Sequence, residues 1–371
     1  MSFPGKIVKE FPPSPQNSRN SEGDFIRLDD GRIAFVYTRF RSSSVDGGTA
    51  DLAVSFSSDG GESFSAEKII LSPENMDAIN IMSVSLVRLN DGQIGLFYLK
   101  KFYGMQCIEF MRKTRDFTTF SEEIRCFDTP GYYTVNNQRI VRLSSGNLII
   151  PASYNDTSLV ELTEAHRNHN YEGYPWPAAR GAVFISEDDG NTWKRTAIID
   201  PPWKTLTFAS DNGLQEPGIV ELEDKTIYMY FRNASGRQLQ CFSKDGGYTW
   251  SDVEPSRFTS PPSPMSTLLL SNGNIVVGYN PVPLYPGRSQ GIPYHWTGGR
   301  SPYLIELCDG NLRTITPPRA IETDEHSGFC YCAFFETNDA VLLGYCAGGS
   351  QDLGGCLTRL RIRKIAKEDL Y

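Results

Sequence analysis

Six side chains in this 371-residue chain have the type and placement needed to handle a charged ligand. Arg19 (in SRNSEG), Arg232 (FRNASG) and Arg300 (GGRSPY) each stand at the end of a strand-like run, beside small or polar neighbours. A guanidinium is permanently charged and offers a planar fork of donors matched to carboxylate oxygens, so three that converge would form a carboxylate clamp. Taken singly, each arginine is equally at home on a solvated surface. Asp46 lies in RFRSSSVDGGTADL, a Gly- and Ser-rich loop between two strand-like runs. Glu216 lies in DNGLQEPGIVEL, where Pro217 and Gly218 fix the backbone and leave the carboxylate at a strand entrance. Tyr331, in GFCYCAFF, is flanked by apolar residues. Against these readings stand ordinary ones, solvated turn acids and a core tyrosine.

Residues so far apart in sequence need a fold that gathers strand ends, and the chain carries two repeats that supply one. The pattern S-x-D-x-G-x-x-[W/F] occurs at Ser57–Phe64, Ser186–Trp193 and Ser243–Trp250, each time after a short strand-like run. It reads as a hairpin turn in which Asp and Ser cap backbone N–H groups, Gly takes the φ > 0 position and the aromatic tucks beneath. A second plan, a turn followed by a β-branched and aromatic strand, recurs from Leu28, Leu89, Leu143, Leu222, Leu270 and Thr337. Six units of about 62 residues each suit four-stranded propeller blades with their loops. Degenerate turns at TRDFTTF (114–120) and ELCDGNL (306–312) fall in units without a clean copy. The expectation is a single all-β domain over residues 1–371, a six-bladed β-propeller, with no linker or charge run between units. A propeller collects its functional residues at one end of the central channel, one or two from each blade.

Composition agrees with this architecture and narrows the partners. Aromatics make up 12%, and 33 Gly and 23 Pro suit many strands joined by tight turns. The one helix-like stretch, residues 159–173, is expected within a long loop. A formal net charge of −8 argues against nucleic acid as a partner while leaving room for a local cationic pocket. No run reaches membrane-spanning length and MSFPGKIVKEF lacks an apolar leader core, so a soluble chain without a membrane partner is expected. The eight cysteines form no C-x-x-C pair and are expected as buried free thiols, with a disulfide as the alternative. His166 and His169 lack a third ligand nearby, so neither a metal site nor any other cofactor is expected.

Together these residues resemble the sialidase (exo-α-neuraminidase) family of six-bladed, aspartate-box propellers, over essentially the whole chain. The resemblance rests on the boxes, on Glu216-Pro-Gly with Arg232 sixteen residues later, on the Arg41 to Asp46 spacing, and on Cys330-Tyr331 followed by VLLGYC. It implies that Arg19, Arg232 and Arg300 bind a substrate carboxylate, that Tyr331 and Glu216 form the nucleophile pair, and that Asp46 is the acid/base. Arg41 joins the substrate-binding set. The family's first arginine usually stands in Arg-Ile-Pro, whereas this chain reads Arg19-Asn-Ser, which keeps Arg27 and Arg39 as substitutes. Arg288, in YPGRSQGIPYHWTGGR, is the substitute for Arg300. The implied substrate is a sialylated glycan or another acidic sugar. A tyrosine nucleophile has its own logic there, since a carboxylate would approach an anomeric carbon bearing a carboxylate against like charge. The arginines are expected to favour phenolate character in Tyr331. Tyr171, Tyr174, Trp176, Tyr285, Tyr294 and Trp296 are expected to rim the site, or simply to pack in loops. The other readings are an exo-glycosidase for another sugar and a non-catalytic glycan-binding propeller. A binder needs the clamp but not Tyr331, Glu216 and Asp46. Linkage preference, hydrolysis against transfer, and oligomeric state are not encoded in these motifs.

Overall fold

The computed structural model describes residues 3–159, 161–164, 177–202, 213–283, 296–352 and 354–371. Their secondary structure is almost wholly antiparallel β. After β1 (Lys6–Phe11), the strands β2 (Arg19–Arg27), β3 (Ile33–Phe40), β4 (Ala50–Ser57) and β5 (Lys68–Leu71) form a four-stranded sheet. Next come β6 (Asn80–Arg88), β7 (Ile94–Phe102), β8 (Gln106–Thr114), β9 (Ile124–Arg125), β10 (Tyr132–Thr134), β11 (Val141–Arg142), β12 (Leu148–Asn155), β13 (Arg180–Ser186) and β14 (Lys194–Ile199), all in one nine-stranded sheet. Two further four-stranded sheets are β15 (Gln215–Glu221), β16 (Ile227–Arg232), β17 (Arg237–Ser243), β18 (Glu254–Thr259), and β19 (Ser266–Leu269), β20 (Ile275–Tyr279), β21 (Tyr303–Cys308), β22 (Thr314–Glu322). The last joins β23 (Cys330–Glu336), β24 (Ala340–Cys346) and β25 (Leu360–Ala366) to β1, so the two ends of the chain close one sheet.

The first strands pack in sequence, β2 against β6, β15 against β19, β19 against β23 and β23 back against β2, which is a β-propeller. Pairing gives four separate four-stranded sheets and one of nine strands rather than six separate sheets. The merger has a local cause. Short β10 pairs antiparallel with β12 and also meets β8 in parallel at Tyr132 and Cys107.

The turn chemistry read from the sequence is present. In the first box Ser57 Oγ donates to Asp59 Oδ1 (2.7 Å), while Gly61 N donates to Ser57 Oγ (2.8 Å). Asp188 and Asp245 receive the same bonds, and Trp193 and Trp250 each donate Nε1–H to their box glycine carbonyl at 3.1 Å. The box glycines also seal neighbouring sheets. A Cβ on Gly61 would lie 2.7 Å from Leu342, and one on Gly247 2.8 Å from Ile149. A second set of clasps runs around the molecule: Arg88 to the Arg27 carbonyl, Arg142 to the Arg88 carbonyl, Ser144 to Glu221, Asn311 to Glu223 and Ser271 to Glu336. Arg27 over the Phe335 ring completes the circuit.

All eight cysteines are free thiols, seven of them buried and Cys356 half-buried. No helix among the described residues is long and apolar enough to cross a membrane. Leu159 ends a short 3-10 turn, and most of the helix-like stretch beyond it lies outside the described residues, as do His166 and His169.

Gly247 (φ +99°) combines a left-handed backbone with a crowded Cβ site, whereas Gly246 (φ +77°) faces open space. Gly247→Ala is therefore expected to lower unfolding free energy by roughly 2–4 kcal/mol, and Gly246→Ala by about 1 kcal/mol from strain alone. Chemical denaturation of the two variants measures the difference.

Candidate active site

The inner strands share an irregularity that creates the site. Glu22, Ser83, Glu216 and Tyr331 adopt φ of 57°, 62°, 47° and 55°, and each sits where the ladder register slips in β2, β6, β15 and β23. Gln138, between β10 and β11, matches them at φ 57°. Left-handed non-glycine residues are uncommon, and such bulges re-aim a side chain out of the ladder. The displaced amides find partners on the neighbouring sheet strands: Ser83 N donates to Thr38 Oγ1 (3.0 Å), Gln138 N to the Val84 carbonyl (3.0 Å) and Glu216 N to Ser153 Oγ (2.6 Å). Asn137 spans the channel, donating to the Gly23 carbonyl (2.8 Å) and the Tyr331 carbonyl (3.1 Å).

Four of the bulge residues face a cavity of about 540 Å³, together with Asp46 and Arg232. Tyr331 donates its phenolic proton to Glu216 Oε1 (2.8 Å), and Arg232 Nη1 donates to Glu216 Oε2 (2.7 Å) and lies 3.4 Å from the Tyr331 oxygen. The Arg300 guanidinium carbon stands 5.2 Å from the Tyr331 ring centre. Arg300 is buried, donates to Cys330 Sγ (3.1 Å) and the Pro262 carbonyl (3.4 Å), and makes no ion pair among the described residues. Arg19 is buried over the Phe40 ring and nearly saturated. Its Nε donates to Ser21 Oγ (2.9 Å), Nη1 to Asp46 Oδ1 (2.5 Å) and the Ser44 carbonyl (3.2 Å), and Nη2 to Glu22 Oε1 (2.9 Å).

Ionisation follows from these contacts. Burial works against the Glu216 anion, but Arg232, Arg300 and the Tyr331 proton outweigh it and hold Glu216 below its ordinary value. Burial, seconded by the Glu216 charge, pushes the Tyr331 phenol well up despite Arg300 and Arg232. The arginines do pull toward the phenolate, as expected, but burial and the Glu216 charge prevail, so in the unliganded protein Tyr331 is a neutral donor. Asp46 leaves 62% of its side chain exposed at the cavity mouth. The surrounding walls disfavour its anion, yet Arg19, Lys101 and Arg300 prevail and hold it well below the carboxylate range. Burial raises Glu22 against the pull of Arg19.

Arg19, Arg232, Arg300, Tyr331, Glu216 and Asp46 are thus brought together. Arg41 is not: its guanidinium is engaged by Asp51 (2.6 Å) and Glu74; of the three clamp arginines Arg232 lines the cavity, while Arg19 and Arg300 stand against Asp46 and the Tyr331 ring. Arg39 is bound to Glu67 (2.9 Å) and Arg27 to the Gly31 carbonyl (3.3 Å), so neither replaces Arg19. Arg288, Tyr171, Tyr174, Trp176, Tyr285 and Tyr294 lie outside the described residues, while Trp296 is half-buried. Sequence reasoning missed Glu22, Ser83, Lys101 and Ser153, all on the cavity wall. The charged residues at strand interiors, Glu22 in RNSEGDFIR and Lys101 in IGLFYLKKF, were the available signal.

Residues 40–344 match the BNR repeat-like domain family, and the chain belongs to it. No curated protein sequence matches. Among solved structures the fold is similar to a protein of unknown function from Dyadobacter fermentans, at 14% identity over 97% of this chain and 99% of that one, with a TM-score of 0.70. It is also similar to the Hadza microbial sialidase Hz136 (14% identity, 96% and 67% covered, TM-score 0.69). The NanB sialidase of Streptococcus pneumoniae, as its K499G mutant, shares 13% identity over 99% of this chain and 71% of that one, with a TM-score of 0.67. The architecture is a sialidase-like all-β propeller.

The bulge at Glu216 depends on Ser153, whose hydroxyl receives the displaced amide. Ser153→Ala should cost about 1–3 kcal/mol by stranding that buried N–H. Ser145→Ala, at an exposed turn, should cost under about 0.5 kcal/mol, and urea unfolding of both variants checks the contrast.

Proposed function

We propose that this BNR repeat-like protein is a retaining exo-sialidase that removes terminal α-linked sialic acid from glycoconjugates. The observation that supports it most is the guanidinium of Arg300, buried and without an ion pair among the described residues, beside the hydrogen-bonded Tyr331–Glu216–Arg232 group. A buried cation without a counter-ion is costly, and an anionic ligand relieves the cost. The nine-stranded sheet reads as two blades stitched by β10, β6 to β9 and β10 to β14, which makes six blades in one propeller.

On this reading the substrate carboxylate docks on Arg300, Arg232 and Arg19. Arg19 must first yield the Nη1 donor now given to Asp46, so the ligand carboxylate displaces Asp46. Freed from its cation, Asp46 regains a higher proton affinity and can protonate the glycosidic oxygen. Tyr331 attacks the anomeric carbon while its proton passes to Glu216 Oε1, already its acceptor. The leaving sugar departs, Asp46 deprotonates an incoming water, and that water displaces Tyr331 with overall retention while Glu216 returns its proton to the departing Tyr331 oxygen. The neutral phenol avoids like-charge repulsion on approach. A glycan-binding protein would need the clamp and would have no use for the tyrosine's proton acceptor.

Hydrolysis of an aryl α-sialoside beside a panel of other aryl glycosides tests the reading. Wild-type enzyme should release the aryl group from the sialoside and not from neutral sugars. Tyr331→Phe should stay folded by thermal melt and lose several orders of magnitude in turnover. Asp46→Ala should lose about 10²–10⁴-fold with a sugar leaving group and much less with an activated aryl group. Arg300→Lys should weaken kcat/KM, since an ammonium lacks the fork. Near wild-type turnover in folded Tyr331→Phe would overturn the nucleophile assignment.

A further inference from the structure

Lys101 lies on β7, in the sheet next to the one that carries Asp46, and is only 3% exposed. Its Nζ donates to the Asp46 backbone carbonyl at 2.6 Å and stands 6.0 Å from the Tyr132 ring centre. Among the described residues it makes no ion pair, whereas its neighbour Lys100 is bound to Glu123 at 2.8 Å. A methionine would fill that volume without the penalty of burying an ammonium against a neutral oxygen. The loop's other ties are Arg19, whose Nη1 donates to the Ser44 carbonyl (3.2 Å) and Asp46 Oδ1 (2.5 Å), Asn80 Nδ2, which donates to the Gly48 carbonyl, and the Arg41 amide, which donates to the Thr49 carbonyl at 3.0 Å; of these, the Arg19 bond to Asp46 is the one a substrate carboxylate takes away.

We propose that Lys101 is a positioning residue for Asp46: it tethers the loop through the Asp46 carbonyl and keeps a fixed positive charge against that side chain. The inference rests on the reading of Asp46 as acid/base. The groups facing the Asp46 carboxylate are Arg19, Arg300 and Lys101 as cations, Glu22 as the other acid, and the Cys107 thiol and Tyr132 phenol. When the substrate carboxylate takes Arg19, Lys101 is the cation that stays. It then keeps the proton on Asp46 labile enough to transfer and restores the anion for the second step.

Lys101→Met, Lys101→Gln and Lys101→Arg test this, each checked by thermal melt. Hydrogen exchange of the peptide 42–49 should accelerate at least about tenfold in Lys101→Met if the tether is what orders it. The descending limb of kcat, which reports the substrate complex, should move up by about one pH unit for a sugar leaving group in Lys101→Met and Lys101→Gln, because removing a cation raises a carboxyl pKa. Lys101→Arg should restore the wild-type limb. An activated aryl leaving group should show no shift in any variant. Unchanged exchange in Lys101→Met, or an unmoved limb in both neutral variants, overturns the proposal. If the wild-type protein hydrolyses no sialoside, the acid/base reading fails and the exchange measurement alone decides whether Lys101 tethers the loop.

Discussion

The site depends on one buried carboxylate held between a guanidinium and a phenol. Withdrawing Glu216 from water costs several kcal/mol on its own, and removing the partner of a buried ion leaves a deficit of about 3–5 kcal/mol. Arg232 at 2.7 Å meets that cost, and Tyr331 at 2.8 Å occupies the other oxygen. The arrangement fixes the direction of proton flow. Glu216 is kept charged and Tyr331 protonated, so the phenol's only transfer is toward Glu216. The two side chains arrive from β15 and β23, which never pair with each other, so the propeller itself sets their separation.

That separation is held by strain and by closure. Each left-handed bulge costs on the order of 1–3 kcal/mol and survives only where its surroundings over-determine it. The surroundings are the strands packed alongside: Thr38 supports Ser83 and Ser153 supports Glu216 from the next sheet, while the Val84 carbonyl of β6 supports Gln138 within the nine-stranded sheet. A bulge on one inner strand is thus secured by a side chain or carbonyl of another strand. The clasps from Arg88 round to Arg27 make the circuit continuous, and β1 beside β25 keeps both chain ends inside it. Precision at the cavity is therefore a property of the ring and not of any one sheet.

This explains what could be read from the sequence. The aspartate boxes were legible because their hydrogen bonds close within four residues, a range over which sequence order and spatial order coincide. Strand-end arginines were legible because three of them recur at matching strand ends, which a solvated surface alone does not account for. Arg41 misled because nearness to Asp46 along the chain says nothing of direction, and its guanidinium turns to Asp51 on the adjacent strand. Lys101 and Glu22 stayed hidden because their roles come from sheets brought together only by closure. The balance at Tyr331 was half legible, because a sequence counts the nearby cations, which do pull toward the phenolate, but not the water removed from around a phenol. The repeat count and the sheet count differ for a related reason. Repeats follow the chain, whereas pairing follows contacts, and one bridge at Tyr132 is enough to merge two repeats.

The arginines divide their work by how much each has left to give. Arg19 is committed to Asp46, Glu22, Ser21 and the Ser44 carbonyl, and Arg232 to Glu216, while among the described residues Arg300 has thiol and carbonyl partners. On the proposed reading, an incoming carboxylate gains most from Arg300, which has no ion pair among the described residues, and only then competes for Arg19. That order matters on the proposed mechanism, because Arg19 releases Asp46 only when another carboxylate replaces it. A ligand without a carboxylate leaves Arg19 on Asp46 and the acid ionised. Recognition of the anion and arming of the acid are then one event, with Arg19 as the shared contact.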